Sequence, residues 1–167
     1  MLTDVERHEI EEVLKHYPER KAGAIDALLR LQRRRGWISD ESVGDLAQFL
    51  DMTREDVDGI ATFYNLIFRK PVGRHVLFVC DSISCWIMGY ERLRERLHER
   101  YGLELGQTMP DGRLTVLPIA CLGHCERAPV VMVDGEVFGN VTPDRIEQIV
   151  EQYAEAHERI DHECRNS

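Results

Sequence analysis

The chain has 167 residues, of which 43% are apolar, so it can form a packed core in one ordinary domain or two small ones. Its 21 Lys and Arg against 30 Asp and Glu give a formal net charge of -9, which disfavours a nucleic-acid-binding or lipid-surface protein and favours a protein partner or small ligand. No run of about 18 apolar residues occurs, and the first twenty residues are acidic and helix-patterned, so we expect neither membrane insertion nor a targeting peptide.

Helical periodicity fills the first 70 residues. The segment from Thr3 to Glu6 has the pattern of a capping box, which predicts the start of a first helix. Three arginines at positions 33–35, followed by Gly36, are typical of the end of a second. Ser39 and Thr53 precede two more segments of helical spacing. The sequence therefore predicts an N-terminal helical bundle of four short helices over residues 1–70.

Strand signals replace the helical ones from residue 71 onward. Residues 75–80 (HVLFVC) and 113–121 (RLTVLPIAC) predict two buried strands, each ending on a cysteine, with a helix between them. Two apolar segments flank Asp134 and Gly135, which predicts a hairpin, and a closing helix starts at Pro143. The order β-α-β-β-β-α predicts a thioredoxin-like α/β domain over residues 71–156, and 157–167 forms a polar tail. The expected fold class is α+β overall.

The cysteines are the strongest functional signal. Five cysteines in a chain with no secretion signal make a disulfide framework a poor explanation. Cys80 and Cys85 are predicted to lie in the loop where the chain leaves the first strand, and Cys121 and Cys125 in the loop where it leaves the second. Because the carboxyl ends of parallel strands meet at one edge of a sheet, we expect these four thiols to converge.

Two kinds of metal centre suit four thiolates, a zinc ion and an iron–sulfur cluster. Gaps of four and three residues within the pairs are wider than in most zinc knuckles and favour a 2Fe-2S cluster, which needs two cysteines at each iron. A zinc-stabilised interaction module and a dithiol oxidoreductase remain alternatives, although no C-x-x-C motif occurs. Nucleotide-binding and hydrolytic motifs are also missing, so we expect one-electron transfer with no catalytic residue in this chain.

Three further residues have competing interpretations. His124 lies between two candidate ligands, but with four cysteines at hand we expect it to be solvated or hydrogen-bonded. Cys164, in the polar tail, is predicted to be a free thiol. Trp86 follows Cys85 directly and would either shield the site or fill the core.

Five segments together resemble one known family. They are ATFYNLIF (61–68), PVGRHV (71–76), CDSISC (80–85), CLGHC (121–125) and APVVMVDGEVFGNVTPD (128–144). These segments are similar to the E subunit family of bacterial NADH-quinone oxidoreductase, respiratory complex I. The resemblance implies that one 2Fe-2S cluster is held in a thioredoxin-like ferredoxin domain. Carried over residue by residue, it implies the ligands Cys80, Cys85, Cys121 and Cys125.

The resemblance also implies a place in a larger assembly. The chain would exchange single electrons with the flavin of a partner subunit that binds FMN and NADH, and it would contact other peripheral-arm subunits of the NADH:quinone oxidoreductase translocase. The complex would be attached to the cytoplasmic side of the inner membrane. Diaphorase subunits of NAD-reducing hydrogenases and formate dehydrogenases share these motifs and provide an alternative host. The cysteine-free N-terminal helices are predicted to serve assembly and docking.

Overall fold

The computed structural model describes residues 1–153, so the predicted tail over 157–167 and Cys164 lie outside the described residues. The chain divides into two compact units, Met1–Pro71 and the residues from Val72 onward. Each unit has its own hydrophobic core. In the part of the chain that is described, no helix combines the length and the apolar character that crossing a bilayer would require.

The first unit consists of helices. Their bounds are α1 Asp4–Leu14, α2 Ala24–Arg35, α3 Asp40–Leu50 and α4 Arg54–Phe63, with a short 3-10 turn at Arg20–Gly23. The predicted capping box is confirmed, because Thr3 and Glu6 each bond to the other's backbone N–H. Ser39 and Thr53 cap α3 and α4 through their hydroxyls. The four-helix prediction is therefore correct.

The arginines at the end of α2 connect three helices. Arg35 donates to both carboxylate oxygens of Glu6 on α1, at 2.8 and 3.0 Å, and to Asp45 on α3, at 3.2 Å. Arg34 pairs with Glu9 on α1. The Arg35 hydrogen bond is the main cause that lowers the pKa of Glu6 to about 2, against the opposing effect of burial. These charges hold α2 against its neighbours.

The second unit contains a four-stranded sheet in the order β2-β1-β3-β4. The strands are β1 His75–Cys80, β2 Leu114–Ile119, β3 Val131–Val133 and β4 Glu136–Phe138. Strand β2 runs parallel to β1, while β3 is antiparallel to β1 and to β4. Helices α5 Ile83–Met88 and α6 Tyr90–Tyr101 connect β1 to β2, and α7 covers residues 143–153 of the described chain. The predicted α+β class and thioredoxin-like order are confirmed.

The turn between β3 and β4 follows the predicted hairpin. Asp134 and Gly135 both have positive φ, 49° and 97°, as a two-residue hairpin turn with the twist of the strands requires. The Asp134 carboxylate also accepts the Val76 N–H at 3.1 Å and contacts His75 Nδ1. The turn is therefore bound to the start of β1, at the opposite end of that strand from Cys80.

The connection after β1 differs from its prediction. The sequence suggests that Cys85 lies in a loop, but Cys85 lies in the short helix α5, which begins at Ile83 after Ser82. Strand β2 covers Leu114–Ile119 and not the predicted 113–121, since the chain bends at Ala120 before it reaches Cys121. Both differences concern the residues that leave the sheet at one edge.

Candidate metal centre

The parallel pairing of β1 and β2 sets the position of the candidate site. Cys80 is the last residue of β1 and lies opposite Ile119, the last residue of β2. The N–H of Asp81 donates to the carbonyl of Ile119 at 3.0 Å, so the two chains remain paired as they leave the sheet. The cysteines that follow each strand therefore start from the same edge.

The first pair is buried. Cys80 and Cys85 are 2% and 1% exposed. Cys80 closes β1, and α5 turns the chain back so that Cys85 lies near enough to influence the pKa of Cys80. The carbonyl of Val130, which precedes β3, accepts the N–H of Cys80 at 3.1 Å, and the Val130 backbone lowers the pKa of Cys85. The sheet and α5 thus hold this pair together from both sides.

The second pair is exposed. The sulfurs of Cys121 and Cys125 lie 3.9 Å apart, and the N–H of Gly123 donates to the Cys121 sulfur at 3.3 Å. Gly123 has a φ of 78°, in the left-handed region where a side chain would add strain. This glycine lets the backbone turn its N–H toward a sulfur, which is the role expected of a loop around a negatively charged centre.

The two pairs are neighbours. The backbone of Leu122, in the second loop, lies near enough to Cys80 in the first loop to lower the pKa of its thiol. The Ser84 side chain, in α5, lowers the pKa of Cys125, and the charge of Cys80 raises it. Within residues 1–153, no three His, Cys, Asp or Glu side chains lie close enough together to hold a metal ion, so the two pairs are near each other without forming a closed site. The thiols are arranged as two adjacent pairs.

The pKa values of three thiols differ according to their partners. Burial raises the pKa of Cys80, but hydrogen bonds from the Ser82 hydroxyl and N–H and from Leu122 outweigh it, and the net pKa lies below its usual value. Burial, followed by the hydrogen bond with Cys80, raises the pKa of Cys85. The hydrogen bond with Cys121 raises the pKa of Cys125. In the first pair, Cys80 is therefore the sulfur best prepared to carry negative charge.

The donor set fits an iron–sulfur cluster. A 2Fe-2S cluster takes four cysteine thiolates, two at each iron, and the structure supplies two pairs at one sheet edge. Thiolates near backbone N–H donors are stabilised in their charged form, and Gly123, Leu122 and Val130 provide such donors.

Several contacts around the site escape sequence reasoning. Ser82 contacts the sulfur of Cys80, and Ser84 lowers the pKa of Cys125. The only sequence feature that could have predicted these effects is the position of both serines between Cys80 and Cys85. His124 lies 3.6 Å from the Glu126 carboxylate, in keeping with the polar role predicted for it. Trp86 is 57% exposed, so the alternative in which it fills the core is wrong. Its position in the short helix α5 leaves it on the surface.

Comparison with known proteins agrees with this geometry. The family described as thioredoxin-like [2Fe-2S] ferredoxin matches residues 10–154. The E subunit of NADH-quinone oxidoreductase from Pseudomonas aeruginosa is 42% identical over 153 residues, covering 92% of each chain. Its counterpart from Escherichia coli K12 is 41% identical over 152 residues, covering 91% of this chain and 92% of the relative.

A solved structure shares the fold at greater distance. A chain of NAD+-reducing [NiFe]-hydrogenase aligns with a TM-score of 0.67 and 23% identity over 79% of this chain. This chain corresponds to only 22% of the length of that hydrogenase chain, and the likeness supports the fold alone. Together with the two close relatives, the match over residues 10–154 shows that the chain belongs to the thioredoxin-like [2Fe-2S] ferredoxin family, in the group of NADH-quinone oxidoreductase E subunits.

Proposed function

We propose that the chain is an electron-transfer subunit of NADH-quinone oxidoreductase and holds one 2Fe-2S cluster through Cys80, Cys85, Cys121 and Cys125. The observation that carries the proposal is the meeting of two thiol pairs at one sheet edge, in a chain 42% identical to an E subunit of that complex. A bound 2Fe-2S cluster would accept and release single electrons. The chain itself would form no covalent bond with a substrate.

The buried cysteines, the exposed cysteines and the backbone N–H groups would have different roles in electron transfer. Cys80 and Cys85 are buried and would hold the inner side of the cluster in a water-poor environment. Cys121 and Cys125 are exposed, so the site reaches the surface, where a redox partner can approach. The N–H groups of Gly123 and Leu122 would offset part of the negative charge on the thiolates.

The partner in this proposal is the subunit that binds FMN and NADH, together with other peripheral-arm subunits. Support comes from the names of the relatives, which are subunits of an NADH-quinone oxidoreductase. The complex would lie on the cytoplasmic side of the inner membrane. FMN and NADH would bind only to the partner, in agreement with the missing nucleotide-binding motifs in this sequence.

The helical unit is proposed to serve docking. At the end of α4 and just after it, three large apolar side chains are exposed: Phe63 by 81%, Leu66 by 44% and Tyr64 by 41%. A group of exposed apolar residues on a charged surface is typical of a protein interface. The unit contains no cysteine, so its contribution to electron transfer would be indirect.

The other interpretations of the chain have weaker support. An NAD-reducing hydrogenase is supported only by a fold likeness at 23% identity, whereas the quinone-linked relatives exceed 40% over nearly the whole chain. A zinc-stabilised module has less support than a cluster, because the family model that matches residues 10–154 describes a [2Fe-2S] ferredoxin.

Affinity purification of the tagged full chain from its native cells, with identification of the co-purified subunits, tests the host assignment. We expect a flavin-containing, NADH-oxidising subunit and other subunits of NADH-quinone oxidoreductase. Co-purification of hydrogenase or formate dehydrogenase subunits instead would contradict it.

A further inference from the structure

Ser82 occupies a helix-capping position but does not cap its helix. It is the N-cap residue of α5 and has extended backbone angles, φ −66° and ψ 161°, as capping serines do. Its hydroxyl makes no hydrogen bond to the first turn of α5. Instead, the oxygen lies 3.4 Å from the sulfur of Cys80. The side chain is thus directed at the candidate metal centre.

Ser39 provides the comparison. It has nearly the same backbone angles, φ −77° and ψ 168°, at the N-cap of α3, and its hydroxyl accepts the N–H of Ser42. A capping hydroxyl typically stabilises the helix that it caps. Ser82 lacks this contribution and makes a sulfur contact instead, which points to a role at Cys80 beyond folding.

We propose that Ser82 is a positioning residue whose hydroxyl donates a hydrogen bond to the Cys80 thiolate and thereby raises the reduction potential of the cluster. This inference rests on the proposed function, because it requires a cluster at the four cysteines. A thiolate has no proton to donate, so in the ligated site the Ser82 hydroxyl must be the donor.

The sign of the expected change in reduction potential follows from the negative charge that the cluster gains on reduction. Reduction adds one negative charge to the cluster and its thiolates, and a hydrogen-bond donor stabilises the reduced form more than the oxidised form. Removal of the hydroxyl therefore lowers the reduction potential. The N–H groups of Ser82 and Leu122 remain directed at Cys80, so the change is partial.

The test is a mediated redox titration of the full-length chain, followed by the EPR signal of the reduced cluster. Ser82→Ala is expected to lower the ratio of reduced to oxidised cluster up to tenfold at a fixed potential, a shift of at most about 59 mV for one electron. Its thermal stability should change little, since no cap is lost. Ser39→Ala, the matched control, should lower stability and leave the potential unchanged.

The isosteric pair Ser82→Thr and Ser82→Val separates the hydroxyl from the shape of the side chain. Threonine should keep the potential of the unmodified chain, and valine should lower it as alanine does. Equal potentials for the two variants would overturn the inference. So would retention of the cluster in Ser82→Thr with its loss in both Ser82→Ala and Ser82→Val, which would make the hydroxyl an assembly element. An unmodified chain without any cluster would instead contradict the proposed function.

Discussion

At the scale of single residues, the four motif cysteines have different surroundings, but all four are proposed to be ligands of one cluster. Replacing any one of Cys80, Cys85, Cys121 or Cys125 with alanine should sharply reduce the iron and sulfide bound per chain, because three thiolates leave one iron with an incomplete ligand set. The measurement is metal and sulfide content of the purified variants, with circular dichroism to show that each is folded.

The fifth cysteine provides the control for this series. Cys164→Ala is expected to leave iron and sulfide content unchanged, since the sequence predicts a free thiol there. A loss of cluster in Cys164→Ala, or full retention in Cys121→Ala, would contradict the proposed ligand set.

A substitution of His124 tests whether the cluster has a histidine ligand. It lies between two candidate ligands in the sequence, but its ring is 3.6 Å from the Glu126 carboxylate. We expect His124→Ala to keep the cluster, with the EPR g-values of the unmodified chain. A Rieske-like shift of g-values in the unmodified protein, lost in His124→Ala, would show that histidine is a ligand.

At the scale of elements, Glu6 on α1 makes the stability of the helical unit depend on pH. Its pKa is about 2 when folded and 4.5 in its ordinary state, so the ionised form is stabilised by folding. This contribution is fully present above pH 4.5 and is lost as pH falls toward 2. Glu6→Gln should destabilise the unit by about 2–3 kcal/mol at pH 7, because Arg35 loses a partly buried partner.

Chemical denaturation of Glu6→Gln and of the unmodified chain at a series of pH values measures this difference. The gap between the two should shrink as pH falls below 4.5. Glu9→Gln is the control, since Glu9 pairs with Arg34 at the surface and should have a much smaller effect. A gap independent of pH would contradict the role given to the Glu6 carboxylate.

The conformation of the β3–β4 turn gives a second prediction about stability. Gly135 has a φ of 97°, so Gly135→Ala should lower stability by about 1–2 kcal/mol through backbone strain. Gly59, in the middle of α4, has free space around it and no positive φ. Gly59→Ala should therefore raise stability by about 0.5–1 kcal/mol. Thermal unfolding distinguishes the two, and destabilisation by both substitutions would contradict the account.

The elements that could be predicted from sequence are those with a strong local pattern. Residues 76–80 are all apolar because β1 is covered on both faces, and the predicted bounds of this strand, 75–80, match the structure. Helix α5 escapes prediction because six residues are too few to show helical periodicity. The turn of the Ser82 hydroxyl toward Cys80 could not be predicted either, since capping is the ordinary role of serine at that position.

At the scale of the whole molecule, docking is the role proposed for the helical unit. Phe63→Ser combined with Leu66→Ser should weaken binding to the partner complex without loss of the cluster, because both side chains are exposed and distant in sequence from the cysteines. Val5→Ser is the control, since Val5 is also exposed, by 53%, but lies on α1. Co-purification yield and iron content are the two measurements. Equal yields for all three proteins would contradict the docking role.

The central claim is that the four thiols hold a 2Fe-2S cluster, and iron and sulfide determination on the purified full-length chain under anaerobic conditions tests it most directly. We expect two irons and two sulfides per chain and an EPR signal that appears only after reduction by dithionite. A colourless protein with one zinc ion per chain and no sulfide would contradict it.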